Sequence, residues 1–258
     1  MIKIGPTGLG PVKDALETLE DYKEQGFSCC EVLFTYGIYI KDKKDAEKIG
    51  KKARELGIKL SIHAPYWINL NSKDKVSKSK ERILKSCEIG HYLGAYRIVF
   101  HPGFYAGVDK EESYRNIKNA ILEMEEVREK EKWNPELAPE TTGKKNVFGS
   151  VDEILQLVKD TGCSFCIDFA HILAREGKVD YPVILKKFSK FKELHIHFSG
   201  IEYGEKGERR HKKTEDMRIL ELLNALKEDA KGKEIVIINE SPYPIEDSAK
   251  TVKYLGTL

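Results

Sequence analysis

Phe165-Cys166-Ile167-Asp168-Phe169-Ala170-His171 is a short, nearly continuous apolar run that ends in a carboxylate, two spacers and an imidazole. Buried parallel strands look like this because both of their faces are covered. A charged Asp at the end of such a strand costs free energy unless a cation or hydrogen bonds receive it. The same design recurs along the chain. Lys59 to Ile62 leads into His63, Arg97 to Phe100 into His101, Glu136 to Pro139 into Glu140, and Glu234 to Asn239 into Glu240. Leu194-His195-Ile196-His197-Phe198 carries His195 as its strand-end imidazole, and Ile2–Gly5 and Cys29–Phe34 supply two further strands.

Helical spacing fills the intervals. Ala15, Leu16, Leu19 and Tyr22 mark one helix; Ala46, Ile49, Ala53 and Leu56 mark the next, with Gly57 placed to close it. A third helix carries Val76, Ile83, Leu84 and Cys87 and stops at Gly94, and Ser150 stands ready to cap a helix bearing Val151, Ile154 and Val158. Val183, Ile184, Leu185 and Phe188 supply the helix for the Asp168 strand, and Ser199 to Lys213 reads as a long polar loop. Strict alternation of strand and helix predicts a parallel sheet covered by helices. Eight such units in about 250 residues predict an α/β fold, a single (β/α)8 barrel spanning residues 1–258 as one domain. The alternative, a doubly wound open sheet, would scatter the polar strand ends along a crevice.

Composition narrows the classes. With 44 basic against 42 acidic residues the net charge is +2, so a nucleic-acid surface has to be local. The five cysteines lie in apolar surroundings, which favours reduced core thiols and a cytoplasmic setting over a disulfide framework. The chain opens directly on a strand, with no signal peptide, and no apolar run approaches the ~20 residues needed to span a bilayer. No obligate protein partner is evident in the sequence.

In a barrel the carboxyl ends of all strands surround one mouth, where active sites sit. His63, His101, Glu140, Asp168, His171, His195 and Glu240 would meet there, with His211 on the long polar loop. So many imidazoles and carboxylates in one crevice repel or titrate unless cations bind them. Mixed nitrogen and oxygen donors suit zinc or manganese. Eight candidates exceed what one ion takes, so a multi-metal centre of the kind used on phosphate esters is the expectation.

At this point the residues resemble endonuclease IV, the zinc-dependent apurinic/apyrimidinic endonuclease family built on a TIM barrel within the xylose-isomerase-like barrels. His63-Ala64-Pro65-Tyr66-Trp67-Ile68-Asn69-Leu70 is similar to that family's H-x-x-Y-x-I-N-L motif, Asp168-Phe169-Ala170-His171 to its D-x-x-H, and His101-Pro102-Gly103 to its H-P-G. The resemblance implies a metal-dependent hydrolase of DNA repair that cuts double-stranded DNA on the 5′ side of abasic sites. It implies two or three zinc ions, with manganese an acceptable substitute. His63, His101 and Glu140 would hold one; Glu140, Asp168, His195 and Glu240 a second, with catalytic Glu140 bridging; His171 and His211 a third. Tyr66 would contact DNA near the lesion, and Arg209 and Arg210, in a basic loop beside the mouth, would meet its phosphates.

Two motifs depart from the family. The family's H-x-N-D-[SA]-K becomes His195-Ile196-His197-Phe198-Ser199-Gly200 here, and the carboxylate of its D-x-H becomes Arg209, with Glu202 and Glu208 as candidate replacements. The alternative reading is a single-metal sugar isomerase or epimerase of the same superfamily, for which Glu140, Asp168, His195 and Glu240 suffice. His63, His101 and His211 discriminate, since a one-metal epimerase does not require them.

Overall fold

The computed structural model describes residues 1–229 and 232–257. Strands β1 (Ile2–Pro6), β2 (Cys29–Leu33), β3 (Lys59–His63) and β4 (Arg97–Phe100) alternate with helices α1 (Ala15–Glu24), α2 (Lys43–Leu56) and α3 (Val76–Leu93). A two-residue strand β5 (Gly103–Phe104) precedes α4 (Lys110–Lys130); then come β6 (Glu136–Pro139), the short β7 (Val147–Phe148) and α5 (Val151–Thr161). The second half contains β8 (Ile167–Asp168), α6 (Phe169–Glu176), α7 (Tyr181–Lys187), β9 (Glu193–Phe198), β10 (Gly200–Gly204) and β11 (Gly207–Lys212). It ends with α8 (Asp216–Asp229), β12 (Glu234–Asn239) and α9 (Pro244–Thr257).

Eight of these strands form the staves of a barrel. β1-β12-β9-β8 and β2-β3-β4-β6 are parallel sheets, and isolated parallel bridges join them, Thr7 to Glu31 at one seam and Glu140 to Cys166 at the other. The protein is therefore a (β/α)8 barrel, and the open-sheet alternative falls. Gly57 and Gly94 end α2 and α3 in the left-handed conformation, and Ser150 and Glu153 form a reciprocal capping box on α5, as the sequence signals predict. No helix among the described residues is long and apolar enough to cross a membrane.

Two segments differ from expectation. Ser199 to Lys213 is not a loop: β10 and β11 pair antiparallel as a hairpin beside the mouth. The Asp168 strand is followed at once by α6, whose first turn Asp168 caps, and only then by the expected α7. An Asp that serves as both strand end and N-cap leaves no room for a loop.

Strand periodicity divides the side chains between two cores. Ile4, Cys30, Val32, Leu60, Ile62, Ile98, Phe100, Leu137, Ile167, Leu194, Ile196, Ile235 and Ile237 belong to the large apolar layer between barrel and helices. Their sequence neighbours must face the barrel interior, because successive strand side chains point to opposite faces. Cys29, Val236 and Ile238 pack together there, as do Val99, Ala138 and Cys166. The β1–β2 seam is a close approach: a Cβ on Gly5 would fall 1.7 Å from the carbonyl oxygen of Cys29. Gly5→Ala is expected to lower stability by about 1–3 kcal/mol or more by forcing the seam open. A urea midpoint equal to that of the wild type would contradict this packing.

Candidate metal centre at the mouth of the barrel

The inward-facing positions are polar toward the strands' carboxyl ends. Following each strand two residues at a time from a buried inward position gives Ser61 then His63, Val99 then His101, Ala138 then Glu140, Cys166 then Asp168, and Ile238 then Glu240. On β9 both His195 and His197 face inward. Register decides which of them reaches the mouth: Asp168 pairs with His197, and Ile167 with Ile196. His197 therefore stands level with Asp168, while His195 lies one layer deeper. The assignment of His195 to the Glu140, Asp168 and Glu240 set is corrected to His197.

Glu140 is fully buried at the centre of the cluster. Its Oε2 lies 3.3 Å from His63 Nε2 and 3.0 Å from His101 Nε2. Its Oε1 lies 3.2 Å from His197 Nδ1 and 3.3 Å from His171 Nδ1. Glu240 Oε2 is 3.4 Å from His197 Nδ1. Three groups of donor atoms at the mouth each lie within 4.8 Å of one another: His63, His101 and Glu140; Glu140, Asp168, His197 and Glu240; and Asp168, His171 and His211. Glu140 and Asp168 are each shared by two groups.

The donor set fits bound cations on three further counts. A carbonyl oxygen only accepts, so an imidazole nitrogen against one must carry the proton. His63 Nδ1 meets Ala64 O at 2.8 Å, His171 Nδ1 meets Thr141 O at 3.0 Å, and His211 Nδ1 meets Glu240 O at 3.2 Å. Each ring therefore leaves Nε2, toward the mouth, as the nitrogen open to an ion, as in metal-ligating histidines. The Nε2 atoms of His171 and His211 face each other at 3.2 Å, an arrangement of two lone pairs that calls for a proton or a cation between them. Finally, Oδ2 of Asp168 is buried and receives no hydrogen bond. Burial raises the Asp168 carboxyl above its ordinary value despite the attraction of His171. Burial also pushes Glu140 up, but the imidazoles of His101 and His197 outweigh it and hold that group well below the usual carboxylate range.

The remaining residues lie around this cluster. Tyr66, half exposed, packs edge-on to His63 with ring centroids 5.6 Å apart. Arg209 and Arg210 project from the hairpin into solvent, 3.7 and 2.8 Å from the carboxylate of Glu202. Of the two candidate replacement carboxylates, Glu202 is thus engaged outside the mouth. Glu208 turns inward, with Oε2 at 3.5 Å from His171 Nε2. Beneath His197, sequence reasoning missed Glu31, which is wholly buried and 2.9 Å from His197 Nε2. A carboxylate inside the apolar run Cys29–Phe34 was the available signal. Burial lowers His195 to about 4, so this deeper imidazole is neutral at pH 7.

Residues 19–255 match the xylose isomerase-like TIM barrel family. The chain belongs to that family. A protein of Methanocaldococcus jannaschii, itself without an assigned function, is 36% identical over 100% of this chain and 98% of its own length. A probable endonuclease 4 of Mesomycoplasma hyopneumoniae is 29% identical over 70% of this chain and 69% of its own. Among solved structures, an L-ribulose 3-epimerase superposes with TM-score 0.74 at 15% identity, covering 100% of this chain and 94% of that one. Endonuclease IV of Thermus thermophilus superposes with TM-score 0.71 at 18% identity, covering 99% of this chain and 98% of that one. At these identities the superpositions speak for the fold alone. Proteins similar to this chain thus include both an endonuclease and an epimerase, and the side chains at the mouth have to separate the two readings.

Proposed function

We propose that this family member is a metal-dependent phosphodiester hydrolase of the endonuclease IV kind, nicking double-stranded DNA on the 5′ side of abasic sites. The observation that carries the reading is the set of donors beyond the Glu140, Asp168, His197 and Glu240 quartet. His63 and His101 complete a second group on Glu140, and His171 and His211 a third on Asp168. Of these, His63, His101 and His211 are the ones that a one-metal sugar enzyme does not require. The similarity to a probable endonuclease 4 supports the same reading.

In this reading His63, His101 and Glu140 would hold one zinc or manganese ion, and Glu140, Asp168, His197 and Glu240 a second. His171 and His211, with Asp168 and with Glu208 in place of the carboxylate absent at Arg209, would hold a third. Bound there, the ions supply an activated water at neutral pH and positive charge for the phosphate oxygens. The chain's own residues do the rest. Glu140, shared by two donor groups, would serve both ions, and the backbone carbonyls of Ala64, Thr141 and Glu240 accept from the Nδ1 side of three imidazoles and so leave their Nε2 atoms toward the mouth. Exposed Tyr36, Tyr66 and Trp67 at the rim offer faces for an unpaired base to stack on. Arg209 and Arg210 offer charge to the flanking phosphates.

A second reading has its own observation. The quartet Glu140, Asp168, His197 and Glu240 is by itself a complete four-donor group, and in this reading Glu140 and Glu240 would pass a proton at a ketose carbon. The deciding experiment is incision of a labelled duplex carrying one abasic site, with zinc- or manganese-loaded protein and Glu140→Gln as the control for contamination. Cleavage on the 5′ side by wild type alone supports the nuclease. Absence of cleavage under either metal, with turnover of a ketose, replaces it by the epimerase. Metal analysis gives a separate check: His211→Ala is expected to lose one ion and retain the other two, whereas loss of every ion would contradict three separable groups.

A further inference from the structure

Three of the inward imidazoles are backed by neutral backbone carbonyls; His197 is backed by a carboxylate. Its Nε2 lies 2.9 Å from Oε1 of Glu31, while its Nδ1 faces Glu140 and Glu240. Glu31 is itself held from two other sides. Ser61 Oγ donates to Oε2 at 2.7 Å, and His195 Nε2 lies 3.1 Å from the same oxygen. Tyr96 in turn hydrogen-bonds His195 Nδ1, so the whole group is wedged between staves β2, β3, β4 and β9. A carboxylate wholly inside a barrel is expensive to desolvate. It is retained here one layer beneath a single imidazole of the mouth.

We propose that Glu31 is a positioning residue that holds His197 with Nε2–H inward and Nδ1 outward, and thereby makes the Glu140, Asp168, His197 and Glu240 group the tightest ion site of the mouth. The inference rests on the metal-centre part of the proposed function and not on the DNA substrate. Both ring nitrogens of His197 face carboxylates, Nε2 that of Glu31 at 2.9 Å and Nδ1 those of Glu140 and Glu240 at 3.2 and 3.4 Å; an ion held by the latter two takes the lone pair of Nδ1, and the proton then stays on Nε2 against Glu31. The negative charge behind the ring also raises its basicity, which a neutral carbonyl does less strongly. Elsewhere in the mouth carbonyls take this role: Ala64 O behind His63, Glu240 O beside Ser199 Oγ behind His211, and Thr141 O at 3.0 Å behind His171, whose other neighbour on that side, Glu140 Oε1 at 3.3 Å, belongs to the mouth itself. Ion affinity should therefore be graded across the mouth.

The test is a zinc titration of metal-stripped full-length protein against a competing chelator, comparing wild type with Glu31→Gln and His101→Ala. Glu31→Gln is expected to weaken the tightest step about 10–100-fold and to leave the later steps in place. His101→Ala, outside that group, should spare the tightest step. An unchanged tightest step in Glu31→Gln overturns the proposal. So does equal weakening of every step, or a melting temperature of the metal-stripped variant so low that Glu31 proves to be a structural support only. A second measurement needs no variant: nitrogen chemical shifts of the histidines in zinc-loaded wild type should show His197 coordinated through Nδ1 with a proton on Nε2. Coordination through Nε2 would reject the proposal. Graded binding of this kind in a protein that fails to nick abasic DNA would remove the nuclease reading and leave the role of Glu31 standing.

Discussion

Glu140→Gln is expected to reduce incision of abasic duplex DNA by about 10²–10⁴-fold with little change in packing. The magnitude follows from the position of the residue. Loss of an outer partner of a metal ligand costs about 10–100-fold, and Glu140 is a direct donor shared by two groups, so at least one such factor applies to each. The substitution keeps the side-chain volume in a fully buried site and removes the charge. It also replaces one acceptor oxygen by an amide that can only donate, opposite imidazole nitrogens at 3.0–3.3 Å. The measurement is the single-turnover nicking rate, with metal content determined on the same preparation. Wild-type activity in this variant would remove the bridging role and the mechanism built on it.

The second large effect separates the two enzymatic readings. His101→Ala deletes a donor from the His63, His101 and Glu140 group and leaves the quartet around His197 complete. A phosphodiester hydrolase that needs two ions should lose about 10²-fold or more in nicking rate, together with one bound ion. A one-metal epimerase should keep its ion and its turnover. The variant is tolerable structurally, since His101 is part-exposed at the rim, with 29% of its side chain accessible. Retained metal stoichiometry together with retained incision would show that the first group is ornamental.

The eight-strand barrel was legible because each buried stave is an apolar run closed by a polar residue, and because helical periodicity fills every gap. The β10–β11 hairpin was not. Ser199 to Lys213 has a polar sequence with little alternation, and its pairing is set by contacts with its surroundings, such as the bridge between Gly207 and Lys144. Helix α6 was missed for a local reason: Asp168 ends a strand and caps a helix at once, so no turn signal separates the two.

At the mouth, the sequence by itself determined which residue types converge. His63, His101, Glu140, Asp168, His171, His211 and Glu240 each follow an apolar strand or lie beside one, and parallel topology brings such ends to one face. Depth was left to the tertiary structure. His195 and His197 share a face because strand side chains repeat every two residues, and only the register of β8 against β9 makes His197 level with Asp168. The same holds for Glu31 and Glu208. One is brought beneath His197 by closure of the barrel, the other beside His171 by folding of the hairpin. Periodicity along a single strand is a local property fixed by backbone geometry. The level at which neighbouring strands meet is a property of the closed sheet, and it exists only once all eight staves are in place.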